Sequence, residues 1–157
     1  MRFSICFISI LFFTSPLFGN QDAKSLNLLG SWQYVAFLYQ DQIHPLPDSN
    51  LVLIFSFSSN GSESISWTRK GSPGFCQATA VYQVDGDNLD SKIISTNPQN
   101  NDDCSNDPDM QVGKESVTPA EIRNGQLFLN IGLSGEDFYY IFNPINQSQN
   151  LSTERNL

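Results

Sequence analysis

Leu28-Leu29-Gly30-Ser31-Trp32-Gln33-Tyr34 is the stretch on which the reading of this chain turns. Gly30 permits a tight backbone entry into a strand, and Trp32 carries one of the largest apolar areas a side chain can bury. A glycine followed two residues later by a tryptophan is a weak motif by itself. Its weight comes from the rest of the chain, a regular succession of short segments that are apolar on alternate residues and separated by turn dipeptides.

Segment 31–39 places Trp32, Tyr34, Ala36 and Leu38 on one face. A long connection, 41–50, carries Pro45 and Pro47. Segment 51–58 then alternates Leu51, Leu53, Phe55 and Phe57, and Asn60-Gly61 tolerates positive φ at both positions of a hairpin turn. Segment 62–69 turns Ile65 and Trp67 inward. After the break Gly71-Ser72-Pro73-Gly74, segment 75–84 offers Ala78, Ala80, Tyr82 and Val84, and Asp85-Gly86 leads into 89–95 with Leu89 and Ile93. A polar loop spans 96–110, a short strand is expected at 111–117, and 118–123 crosses to the turn Asn124-Gly125. Segment 126–133 alternates Leu127, Leu129, Ile131 and Leu133, and segment 137–143 holds Phe138, Tyr139, Tyr140 and Phe142. No stretch has sustained helical periodicity. The pattern predicts an all-β domain over 28–143, an eight-stranded antiparallel up-and-down β-barrel, which leaves no exposed edge. A two-sheet sandwich is the alternative, but it needs longer crossovers than these links provide.

Flanking the barrel segments, Met1-Arg2, the apolar run 3–13 and a small residue at Gly19 read as a secretory signal peptide over 1–19, followed by a polar lead-in at 20–27. The run is too short to span a bilayer. Residues 144–157 are polar and aperiodic, and are expected to be a disordered tail. Removing 1–19 takes away Cys6 and Arg2, so the formal charge goes from −8 to −9 and two cysteines remain. In an exported chain, secreted or periplasmic, that even pair predicts a Cys76–Cys104 disulfide. The acidic balance, with basic residues scattered singly, argues against nucleic acid and anionic lipid surfaces and leaves room for a cationic protein partner.

If Trp32 marks a closed end, strand alternation puts the turns at Asn60-Gly61, Asp85-Gly86 and Asn124-Gly125 beside it. The loops 41–50, 70–74, 96–110 and 134–136 then gather at an open end. The predicted lumen positions are Tyr34, Leu38, Leu53, Phe55, Ile65, Trp67, Ala78, Ala80, Tyr82, Ile93, Leu129, Ile131 and Tyr140. An eight-stranded interior is either filled by its side chains or holds one small ligand, and both outcomes stay open at this point. Ala78 and Ala80 leave space beside the aromatics, which favours an apolar or amphipathic guest. Catalysis is not expected. His44, the sole histidine, sits in a proline-rich loop with no nucleophile to serve, and adjacent carboxylates in turns are ordinarily solvated. Asp102, Asp103, Asp107 and Asp109 lack calcium-loop spacing, and no zinc set or other cofactor site is apparent.

An opening Leu-x-Gly-x-Trp, eight antiparallel segments and a Gly-Asp-Asn-Leu turn at 86–89 resemble lipocalin-like proteins of the calycin superfamily, in particular small bacterial ones. The resemblance covers 28–143. It implies a barrel whose lumen binds a small molecule, and an arginine covering the floor tryptophan. Arg123, at the closed end, is the residue expected to stack on Trp32. The resemblance equally admits an exported interaction protein or inhibitor that docks a cationic partner through its acidic rim.

Overall fold

A computed structural model describes residues 26–145; the expected signal peptide, most of the lead-in and nearly all of the polar tail lie outside the described residues. Nine strands run β1 Gly30–Tyr39, β2 Gln42–Pro45, β3 Leu51–Phe57, β4 Ser62–Arg69, β5 Cys76–Asp85, β6 Asn88–Thr96, β7 Glu115–Arg123, β8 Gln126–Asn130 and β9 Phe138–Pro144. Every pairing is antiparallel, and β1 pairs with β9 to close the sheet. The result is an eight-stranded antiparallel β-barrel of β1 and β3–β9, with β2 as a spur. The lower part of β1 pairs with β3 (Trp32 opposite Phe55), while its upper part pairs with β2 (Leu38 opposite Ile43) on the same edge.

The spur occupies what the sequence presents as a connection. Gln40 and Asp41 both take positive φ, 49° and 59°, and turn the chain back as a two-residue hairpin without the glycine that ordinarily advertises one. His44 therefore lies on a strand, stacked on Phe37 at 4.9 Å, and is not an exposed loop histidine. β7 also departs from expectation, covering 115–123 in place of 111–117. Pro119 suggests a break, but the Ala120 N–H points to Asp87 O on the β6 side. The Pro119 nitrogen consequently faces β8, whose pairing with β7 begins only at Ala120, so the missing N–H removes no rung. β8 ends at Asn130, three residues early, and β9 runs one residue past the expected boundary. Ile145 continues that edge by donating its N–H to Ser31 O.

Trp32 sits 6 % exposed in a closed-end layer with Leu28, Tyr34, Phe57, Leu89, Leu127 and Phe142. Its indole N–H donates to Leu28 O at 2.7 Å, so the lead-in to β1 folds under the barrel and satisfies the one polar atom of the largest side chain there. Gly30 makes this approach at φ +109°, a backbone conformation that side-chain-bearing residues rarely adopt. Arg123 does not reach this layer. On β7, Ala120 and Ile122 turn inward, so the pleat sends Arg123 to the outer wall, where its guanidinium lies over Phe128 (4.8 Å) and Tyr139 (5.2 Å) and pairs with Glu121.

Candidate functional site: the barrel lumen

Above the closed-end layer the barrel is not filled. A cavity of about 630 Å³ opens towards the loop end. Leu53 and Phe55 of β3 and Ile65 and Trp67 of β4 form one apolar wall, and Leu129, Ile131 and Tyr140 form another, with Ile93 between them on β6. Ile131 is at the rim and half exposed. Trp67 lies beneath the Arg69 guanidinium at 4.9 Å, and Arg69 is itself held by Asp48 at 3.1 Å. Of the positions singled out from the sequence, Leu53, Phe55, Ile65, Trp67, Ile93, Leu129, Ile131 and Tyr140 are brought together here.

Five others are not on this wall. Leu38 is displaced by a β-bulge between Tyr34 and Ala36, which shifts the register against β9; Leu38 then pairs with Tyr139 outside, and Phe37 pairs with Tyr140 inside. The inward residue is thus Phe37, stacked on Phe138 at 5.0 Å. Tyr34 belongs to the closed-end layer, its ring 4.5 Å from that of Tyr140, and burial pushes its hydroxyl pKa up strongly, with Tyr140 adding to the shift. Tyr82 also turns downward, edge-on to Phe57 at 5.0 Å, and its hydroxyl donates to Ser58 O at 3.0 Å. Ala78 and Ala80 face inward, but the space beside them is taken. Met110, 3 % exposed, and the Cys76–Cys104 disulfide pack on them from the long loop.

That loop is a fixed cover over part of the mouth. The disulfide joins β5 to the first of two 3-10 turns, Asp102–Asn106, with Cα atoms 5.5 Å apart. Asn100 accepts from the Gln77 N–H (2.7 Å) and donates back to Gln77 O (2.9 Å), and Asn101 donates to Pro73 O. Gly74 has φ +89°, and a Cβ there would displace the Asn101 side-chain amide that donates to Pro73 O, so glycine suits this place under the clasp. The far end is tied where Lys114 O accepts from the Ile93 N–H and the Gly113 N–H donates to Ile93 O. The second turn, Pro108–Met110, swings Met110 in and brings Asp107 and Asp109 to the cavity mouth, whereas Asp102 and Asp103 remain on the exposed first turn. Among the described residues, no three acidic, histidine or cysteine side chains gather as a metal centre.

A polar sector completes the lumen. Glu63, Ser91, Ser116 and Thr118 line the cavity on β4, β6 and β7. Glu63 is 2 % exposed, and its Oε2 accepts a hydrogen bond from Ser91 Oγ. Burial raises its carboxyl pKa above the usual carboxylate value, and the Ser91 hydrogen bond pulls it partly back. The signal for Glu63 is present in the sequence as parity, since it stands two residues before Ile65 on a strand whose inward positions are every second residue. Met110 has no such signal, being one apolar residue in a polar loop.

No protein-family model matches the chain, and no curated protein matches it by sequence. A solved structure does match. A lipocalin-like protein from Bacteroides uniformis superposes with a TM-score of 0.50 at 20 % identity, over 75 % of this chain and 98 % of that one. The fold is lipocalin-like. The relation reaches nearly the whole of that chain.

Proposed function

We propose that this protein is an exported binding protein that holds one small apolar or amphipathic molecule in the barrel lumen. The observation carrying this reading is the 630 Å³ cavity, walled by Phe55, Trp67, Leu129 and Tyr140 above a fully packed floor; it falls within the range of small-molecule sites. The disulfide and the lipocalin-like fold are compatible with an oxidising compartment outside the cytosol. We read the protein as a carrier and not a catalyst, because its sole histidine, His44, is stacked on Phe37 and is not among the residues that line the lumen.

The alternative, docking of a cationic protein through the acidic rim, has weaker support. The four aspartates do not form one patch, since Asp107 and Asp109 turn to the mouth, where Lys114 pairs with Asp109 at 3.6 Å, and Asp102 and Asp103 point elsewhere. Native mass spectrometry of the protein purified from its source tests the two readings together. A co-purifying adduct of small-molecule mass, lost on mild activation, is the expected result. A bare protein that forms a salt-sensitive complex with a basic protein favours the rim.

A further inference from the structure

Among the described residues, Glu63 is the buried acid whose carboxylate has no cation beside it. The four ion pairs of the described residues are Arg69–Asp48, Lys92–Glu115, Lys114–Asp109 and Arg123–Glu121, and all of them lie on exposed rim or outer wall. Glu63 instead stands in the cavity wall opposite Phe57 and Ala80 in register, with a single serine hydroxyl on Oε2. Neighbouring strands add only hydroxyls, as Ser91 is paired with Ser116 and Leu89 with Thr118. Burying a carboxylate away from water without a counter-charge is costly, and the cost falls when a cation enters beside it. The ionisable groups at the mouth have the same bias. Asp107, Asp109 and Glu115 line it together with Lys114, whose ammonium is 3.6 Å from Asp109, and Lys92 holds Glu115 at 2.8 Å, which leaves a net charge of −1 there.

From this geometry we infer that the lumen takes an apolar molecule bearing a protonated amine, with the ammonium seated on Glu63 and the hydroxyls of Ser91 and Ser116 and the carbon body against Phe55, Trp67 and Tyr140. The inference rests on the lumen-binding reading and narrows it. A fatty-acid carboxylate, the obvious amphipathic guest for an apolar pocket, would meet Glu63 head-on after passing a mouth whose net charge is negative. A cation passes the same mouth with its attraction and arrives at a carboxylate that burial has kept poorly solvated. Its arrival also favours the ionised form of Glu63, which burial otherwise disfavours.

The test compares three probes of equal length, 1-aminodecane, 1-decanol and decanoate, each titrated into the full protein below its micellar concentration at neutral pH with tryptophan emission as the readout. The amine is expected to bind about tenfold or more tightly than the alcohol, the size of a charge-assisted hydrogen bond, and decanoate most weakly. In Glu63→Gln the preference for the amine over the alcohol should vanish. Raising the salt to about 0.5 M separates the buried carboxylate from the rim. A preference that persists supports Glu63, and one that vanishes assigns the attraction to the exposed aspartates and overturns the inference. Equal binding of amine and alcohol by the wild-type protein overturns the inference and leaves the lumen reading standing. Failure of all three probes to bind overturns both. The wild-type comparison needs no variant to fold, and Ser91→Ala, which keeps the carboxylate, should retain the preference for the amine.

Discussion

The two ends of this barrel use the same strands in opposite ways. At the closed end Trp32, Phe57, Leu127 and Phe142 meet in one packed layer, and the polar atom that layer must bury, the indole N–H, is satisfied by Leu28 O. Further along the same strands the inward side chains become Leu53, Leu129 and Tyr140, joined by Trp67 of β4, Ser91 of β6 and Ser116 of β7; the layer does not close, and a cavity remains under a loop held by a disulfide. Packing and cavity are therefore segregated along the barrel axis. The floor is closed by burial, and the mouth is held open by covalent and hydrogen-bonded restraints that fix the loop without filling the space below it.

If the floor carries the stability, the largest loss comes from removing its centre. Trp32→Ala should cost about 3 to 5 kcal/mol, read as a drop in the urea or thermal midpoint, because it deletes a buried indole and leaves Leu28 O without its donor. A cost below about 1 kcal/mol would mean that the floor is not the keystone. Reducing the Cys76–Cys104 bond, or Cys76→Ala with Cys104→Ala, should cost about 3 to 4 kcal/mol through the unfolded state. It should also release amide protection in 97–114 while leaving protection near Trp32 intact. Uniform loss of protection at both ends would contradict the segregation. Gly74→Ala sharpens the same point at a lower cost, about 1 to 3 kcal/mol, since it strains a left-handed residue and collides with Asn101 under the clasp.

A pH series probes the bottom of the lumen, where Glu63 stands opposite Phe57 of the floor layer. Burial raises the Glu63 carboxyl pKa above its unfolded value, so its contribution to stability is fully present below that unfolded value and is lost as the pH rises through the folded one. The stability of wild type relative to Glu63→Gln should accordingly decline as the pH rises above the ordinary carboxylate value. A flat difference would show that Glu63 is solvated. The smallest effect belongs to Arg123→Ala, about 1 kcal/mol or less, because its contacts with Phe128, Tyr139 and Glu121 are on the half-exposed outer wall. Trp32 emission should not change in that variant.

Legibility in the sequence divides along the same axis. Period-two alternation and the Asn60-Gly61, Asp85-Gly86 and Asn124-Gly125 turns suffice for the barrel, the closed end and the side on which each loop falls, because local backbone preference and burial agree there. The disulfide is implied by the cysteine count. Leu38 is misplaced by simple alternation because a bulge costs one residue of parity and leaves no mark in composition. The spur β2 is hidden by a Gln40-Asp41 turn that takes positive φ without glycine. Ala78 and Ala80 announce a space correctly, but whether a guest or the chain itself fills it is decided by Met110, a long-range contact that no local pattern encodes. Glu63 is readable from parity alone, against the ordinary expectation that glutamate is exposed.

The upper lumen should receive a guest while the floor does not. The direct measurement is tryptophan emission during titration with 1-decanol, in wild type and in Trp67→Phe, where Trp32 is the only indole left. The structure predicts a saturable change in wild type that disappears in Trp67→Phe. Emission that does not respond in wild type, or a response that survives in Trp67→Phe and so reports from Trp32, would contradict a cavity resting on a sealed floor.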